Sequence, residues 1–347
     1  MEVAGPRIRP EFAVVAHSRG VVEFRSGLWN PRSVTLTDES APPRLLDVID
    51  MLDGKRTTQE IARELGVDSA YVRSVVDDLT GMGVVLVGPA PADGYLRILG
   101  IGSRASPEAR PAPSVRVVGH GPLADAVAAS IGELAEALPV DEDLAASLRE
   151  VEVAPHADGL ESLRWLERFA SLRGSFLVIA TEVVNPIVLQ NANRVALHYG
   201  IPWMQVALDG PFALVGPTFV PHRSPCYECF EMRMSLAIRE HASYVAYKRA
   251  IADGLVRPAH PRLPRPIEGL LANLAGLEIC GYLVGGSNFT VGKVLSIYLP
   301  ALEFSFNEFL RIPSCRACVP EIERSEEQLH FDLRSYVNER RVAAPSR

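Results

Sequence analysis

The sequence predicts an α/β protein: an N-terminal winged helix-turn-helix followed by a doubly wound domain with a four-cysteine zinc site. Three observations predict it. Short β-branched runs and three helical patterns fill the first 88 residues, strands and helices alternate after residue 114, and four of the five cysteines form two Cys-x-x-Cys pairs. The 347 residues are enough for two or three domains, each with its own core. A net charge of −7 argues against a nucleic-acid surface over the whole chain.

The first segment, residues 1–88, opens with three short strand patterns, Phe12–His17, Val21–Arg25 and Ser33–Leu36, separated by turn residues. Helical patterns follow over Pro42–Leu52, Thr58–Leu65 and Asp68–Gly81. The second starts on a threonine cap and stops at Gly66; the third carries Val72, Val75, Val76 and Leu79 on one stripe. Val84–Val87 closes the segment as a strand. Residues 89–113, rich in Pro, Ala, Gly and Arg, read as a linker holding at most one strand, Tyr95–Ile101.

Residues 114–325 then alternate. Ser114–Gly121 is a strand running into a glycine turn, with a helix over 122–134. Val151–Pro155 is taken as the second strand and Gly159–Leu172 as its helix. Ser175–Thr181 is a strongly apolar strand, Asn185–Tyr199 a helix, and Ile201–Leu208 and Ala213–Pro221 are strands. Helices around Glu231–Asp253 and Pro266–Val284 precede two more strand patterns, and residues 326–347 are a tail. The most apolar stretch, Gly269–Gly286, carries Asn273 and Glu278 and reads as a buried helix, so no membrane association is expected.

Cys226/Cys229 in SPCYECF and Cys315/Cys318 in PSCRACVP lie about 85 residues apart. Cys-x2-Cys is the spacing at which a tight turn aims two thiolates at one metal, and two such turns complete a tetrahedral site. Neighbouring prolines (Pro225, Pro313, Pro320) suit knuckle turns rather than helix interiors. Disulfides are the competing reading. The N-terminus has no apolar signal-peptide region, so a cytoplasmic chain with reduced thiols is expected. Four cysteine ligands leave no open position for a catalytic water, so the zinc is structural.

Other motifs carry less. Gly119-His120-Gly121 sits where a phosphate-binding turn opens a helix, but no strand ending in an acidic residue is evident about 20 residues on. The turn is read as one that holds a helix close to a sheet. Glu182 follows an apolar strand at the end where such sheets bind ligands, though a solvated loop acid or an N-cap is the simpler reading. His198 and His222 lack ligand-spaced neighbours, and Cys280 is read as packing in an apolar helix. The third helix sets Arg73 against Asp68, Asp77 and Asp78, a poor recognition helix for DNA. Capture of an extended peptide on the edge strand Ser33–Leu36 is favoured over it.

Residues 114–320 resemble the ubiquitin-activating-enzyme-like (ThiF-like) superfamily, which includes adenylating enzymes for sulfur-carrier proteins and microcin peptides. The resemblance rests on the order of the strand–glycine turn–helix, FLVIAT, NPIVLQNANRVALHYGIPWMQ, GPTFVPHRSPCYECF, ANLAGLEICGYLVGG and CRAC. The N-terminal segment resembles the PqqD-like peptide-recognition element, through LLDVIDMLDGKRTTQEIARELG and LTGMGVV. Together they resemble the leader-peptide-binding partner proteins of azoline-forming (thiazole/oxazole-modified microcin) cyclodehydratases, the Ocin-ThiF-like or cyclodehydratase C-protein group.

That resemblance implies a Rossmann-like ThiF-type domain fused to a recognition element. It implies a non-catalytic subunit that holds the leader of a ribosomally made precursor peptide. A separate YcaO-type enzyme would then cyclise the peptide's Cys, Ser or Thr residues with its own ATP. Val34, Thr35 and Leu36 are the expected peptide-pairing edge, and Tyr71, Val75 and Asp78 the groove. Zn2+ is held by Cys226, Cys229, Cys315 and Cys318, and relatives of this kind often form homodimers. Gly119 and Gly121 are a vestigial nucleotide turn. Active adenylating members place an acidic residue after the second strand, then Asn and Arg, and no such run is evident between Val140 and Asp158; Glu182 replaces their Asp. The alternative is an adenylating enzyme that activates a peptide or carrier-protein carboxylate with ATP.

Overall fold

The computed structural model describes residues 5–27, 29, 32–87, 114–119, 121–132, 134–150, 160–256, 263–313 and 315–318. The expected strands at Tyr95–Ile101 and Val151–Pro155, the linker 89–113 and the tail 326–347 lie outside them. By packing, the chain falls into two compact units, Met1–Pro139 with Arg262–Thr290, and Val140–Pro261 with Val291–Arg347.

In the first unit, β2 (Ala13–Ala16), β3 (Val21–Ser26) and β4 (Arg32–Thr37) form an antiparallel sheet in that order. Side chains alternate across it, so Val22 and Phe24 of the central strand are fully buried while Glu23 and Arg25 are not. Three helices supply the rest of that core: α1 (Leu45–Asp50), α2 (Thr58–Leu65) and α3 (Ser69–Gly81). Leu45, Ile49, Ile61, Val72, Val76 and Leu79 meet Val22 and Phe24. Burying each such side chain contributes about 1.5–3 kcal/mol. The ends of α2 are written locally. Thr57 Oγ1 accepts from the Glu60 N–H (3.2 Å), the Glu60 carboxylate accepts from the Thr57 N–H (2.8 Å), and Gly66 closes the helix at φ 64°. A strand absent from the sequence reading, β1 (Pro6–Ile8), pairs antiparallel with β5 (Val85–Val87).

The same unit holds a parallel pair, β6 (Val115–Val118) with β7 (Ala137–Pro139), and two helices, α4 (Pro122–Ile131) and α10 (Arg265–Gly285). β7 corrects the sequence reading, which found no strand in this stretch. Three residues ending in proline give too short a run to register as a strand. α10 is long and apolar enough to cross a bilayer by length and composition. One face, including Leu271, Ala275 and Ile279, is buried, and Gly276 lets α10 approach α4 so closely that a Cβ there would lie 2.6 Å from Ser130 Oγ.

The second unit contributes β8 (Phe176–Thr181), β9 (Trp203–Asp209), β10 (Phe212–Phe219), β11 (Lys293–Tyr298) and β12 (Glu303–Glu308) to a large mixed sheet, neighbours in that order. β8 and β9 run parallel, and each later pair is antiparallel. Around them lie α5 (Glu142–Ser147), α6 (Leu160–Glu167), α7 (Pro186–Tyr199), α8 (Tyr227–Ala237) and α9 (His241–Ala252). The connection from β8 to β9 is α7, capped by the Asn185 side chain on the N–H groups of Ile187 and Val188 and ended by Gly200 at φ 68°. Asn191, buried on α7, donates from Nδ2 to the carbonyls of Leu148 (2.9 Å) and Glu150 (3.0 Å), groups left open where α5 ends.

Candidate functional site

The strand–turn–helix β10–α8 sets up the first cysteine pair. Cys226 is the N-cap residue of α8 and Cys229 lies in its first turn. This corrects the expectation of a free knuckle: one pair rides on a helix start, and only Cys315 and Cys318 lie in a turn. Buried Asn193 of α7 fixes that start, its Oδ1 accepting from the Tyr227 N–H at 3.0 Å. Two arginines bring the second pair to the first. Arg311 Nη2 donates to the carbonyls of His222 and Ser224, both at 3.0 Å, and Arg233 Nε donates to the Leu310 carbonyl at 2.6 Å. The sequence reading missed Asn193, Arg233 and Arg311, since partners 30 to 90 positions away leave no local pattern.

The four sulfurs meet in one buried cluster, every pair within 4.8 Å, with Cys226–Cys229 at 3.9 Å, Cys226–Cys315 at 3.7 Å and Cys229–Cys318 at 3.6 Å. A tetrahedral metal with bonds of about 2.3 Å places its sulfur ligands about 3.8 Å apart. The cluster matches that spacing, and all five cysteines are free thiols. Burial pushes the Cys226 thiol far above its ordinary value and Cys318 up to about 12. Burial acts the same way on Cys229, but the Ile312 N–H, donating to its sulfur at 3.4 Å, and neighbouring thiols bring it below the ordinary value. The four cysteines can therefore hold a divalent metal ion, whose charge would replace the protons that burial otherwise retains.

The other predicted residues are scattered. Val34, Thr35 and Leu36 lie on β4, the outer strand of its sheet; Val34 and Leu36 pack on the core and Thr35 is exposed. Tyr71, Val75 and Asp78 lie on α3, where Val75 is only 6 % exposed and Asp78 is exposed. β4 and α3 are joined at both ends. Arg32 Nη2 donates to the Met82 carbonyl at 2.9 Å, and Tyr71 Oη donates to Asp38 at 2.7 Å.

Gly119 (φ 148°) and Gly121 (φ 97°) both hold backbone conformations that disfavour side chains, and Gly121 caps α4 ahead of Pro122. Asp125 stands in the first turn of α4, where it opposes an anion. One reading is corrected here. Two residues past β7, and 20 past Gly121, stands Asp141, so an acidic residue does follow a second strand. Its carboxylate caps α5 through the Asp143 N–H at 3.0 Å. Glu182 follows β8, but the cap of α7 is Asn185. His198 and His222 are exposed, and Cys280 is buried, its thiol raised to about 11 by burial.

No protein-family model and no curated protein matches this sequence. Solved structures do match. The chain aligns over 91% of its length with the heterocyclase TruD at a TM-score of 0.60 and 20% identity, covering 43% of that chain. The fold is shared with that part of the longer chain. A heterocyclase solved with substrate and cofactor aligns over 91% of this chain and 39% of its own length, at a TM-score of 0.61 and 17% identity. This chain thus spans about two-fifths of either structure.

Proposed function

We propose that the protein binds the leader of a ribosomally made precursor peptide and presents the core to a separate YcaO-type cyclodehydratase for azoline formation. The observation that carries this reading is the β4–α3 pair. α3 is about 20 Å long and six-residue β4 about the same. Their ends are pinned by the Arg32–Met82 and Tyr71–Asp38 bonds, with the outer edge of β4 unpaired among the described residues. An extended peptide of about six residues has room to add there as a fourth strand, in the manner of a PqqD-like element on a winged helix-turn-helix. On this reading the chain is a ThiF-like scaffold, and the catalytic part belongs to a separate cytoplasmic YcaO-type enzyme. The metal in the cysteine cluster is, on this reading, structural zinc, and ATP belongs to the partner.

The test is fluorescence polarisation with the labelled leader of a Cys/Ser/Thr-rich precursor encoded beside the gene. The full chain should bind it, and Thr35→Pro, which bars ladder pairing at the edge, should not. Equal binding by the variant would overturn the assignment. A second reading, an enzyme that adenylates a peptide carboxylate, draws on Asp141 beyond β7. It predicts peptide-dependent ATP–pyrophosphate exchange that Asp141→Asn abolishes.

A further inference from the structure

The second unit contains a cavity of about 610 Å3 that the proposed function leaves unused. That size is typical of sites for small ligands or single large side chains. The carboxyl ends of β8 and β9 form one side of it, and residues of α7, α8 and α9 close over them. Its walls are apolar and aromatic, with Tyr227, Phe230, Tyr244 and Tyr247 contributing rings.

Its polar side chains are three carboxylates, three tyrosine hydroxyls and one glutamine. Gln205 lines the cavity from β9, is only 2 % exposed, and its Oε1 has no hydrogen-bond partner among the described residues. A buried carbonyl oxygen without a donor is destabilising, so its position calls for a donor that the described residues do not supply. The three carboxylates line the space, and among the described residues no Lys, Arg or His does. Glu231 is answered within the fold: Lys248 Nζ and Tyr244 Oη donate to it at 2.6 Å and Gln190 Nε2 at 2.7 Å. Glu182 and Asp209 have no ion-pair partner among the described residues. Thr181 pairs with Ala207, so both leave the sheet at the same end. Burial and the charge of Asp209 together push the Tyr247 hydroxyl above its ordinary value, which places that negative field at the aromatic wall.

We propose that this cavity binds a protonated amine or guanidinium carried on an apolar or aromatic body. Gln205 Oε1 accepts from an N–H, Glu182 and Asp209 supply the countercharge, and the tyrosine faces attract the cation. An anionic ligand would meet uncompensated carboxylates there. The ligand's source is a free amine or a Lys or Arg side chain of a peptide, and the assignment does not depend on leader binding at β4.

The test is isothermal titration of the full chain with three probes of one shape: 3-phenylpropylamine, 3-phenylpropanol and 3-phenylpropionate. The amine should bind about tenfold or more tighter than the alcohol, and the carboxylate should not bind. Glu182→Gln with Asp209→Asn, changes at a half-buried and an exposed position, should weaken the amine by about tenfold while leaving the alcohol unchanged. Gln205→Met should weaken the amine without lowering the melting temperature, whereas a merely structural glutamine would lower it. Should Gln205→Met fail to fold, the carboxylate variants decide alone. Equal binding of all three probes, no binding of the amine, or variants that keep full amine affinity would sink the idea. Competition by Ac-Ala-Lys-Ala-NH2 or Ac-Ala-Arg-Ala-NH2 assigns the source to a peptide side chain, and lack of competition assigns it to a free amine; either result keeps the ligand class.

Discussion

Stripping the metal from the cysteine cluster, or replacing Cys315 with serine, should cost the protein a large share of its stability. Cys226 and Cys315 are separated by 89 positions, so a metal that joins them closes a long loop. The chain-entropy relation for a cross-link of that length gives about 4–5 kcal/mol. Total stabilities are about 5–15 kcal/mol, and each kcal/mol moves the midpoint of a 150–250-residue domain by about 2–4 °C. A fall of roughly 10 °C or more is therefore expected. The assay is a thermal melt of the protein before and after chelation, with released metal counted by a chromogenic chelator and one ion expected per chain. Acid should act in the same direction. Burial raises the thiols of Cys226 and Cys318, so the metal-free cluster retains protons that the ion must displace, and affinity should fall as pH falls. Complete metal release with a midpoint unchanged within about 2 °C would falsify the clamp.

Three further perturbations probe the first unit. Thr57→Ala removes one half of the capping box of α2 and should cost about 1 kcal/mol in a urea titration; an unchanged midpoint would mean the box is idle. Although burial pushes the Asp38 carboxyl up, donation from Ser40, Tyr71 and the Arg44 N–H holds it well below the usual range. Its contribution is therefore full above the unfolded value of about 3.9 and is lost as pH falls toward the lower folded value. Asp38→Ala should cost about 2 kcal/mol at neutral pH and flatten the acid limb of the stability profile, and a variant with an unaltered acid limb would contradict this. Gly276→Ala places a methyl 2.6 Å from Ser130 Oγ and should cost about 1–3 kcal/mol, partly recovered by adding Ser130→Ala. Strictly additive losses would show that α4 and α10 do not meet as described.

Elements whose ends are written locally were legible in the sequence. α2 runs over Thr58–Leu65 as read, because Thr57, Glu60 and Gly66 mark both ends within ten residues. β8 was legible as an apolar run too short for a helix. β1 and β7, three residues each, owe their existence to partners far along the chain and carry no periodicity of their own. At the metal centre the ligands were legible from spacing, but the helix start beneath Cys226 was not, since Asn193 sets it from 34 positions away. The cavity left one trace, a lone glutamine inside the apolar run IPWMQVAL, which is unremarkable until Gln205 is seen to be buried with its Oε1 unpartnered among the described residues.

The separation of the two cysteine pairs also orders events during synthesis. At about 5–20 residues per second the ribosome needs roughly 4–18 seconds to travel from Cys226 to Cys315, 89 positions later. Throughout that interval the nascent chain offers a metal two thiolates instead of four. α8, α9, α10, β11 and β12 are all translated before the second pair, so their local structure has to hold without the clamp. A four-thiolate site can therefore close only on a segment already made.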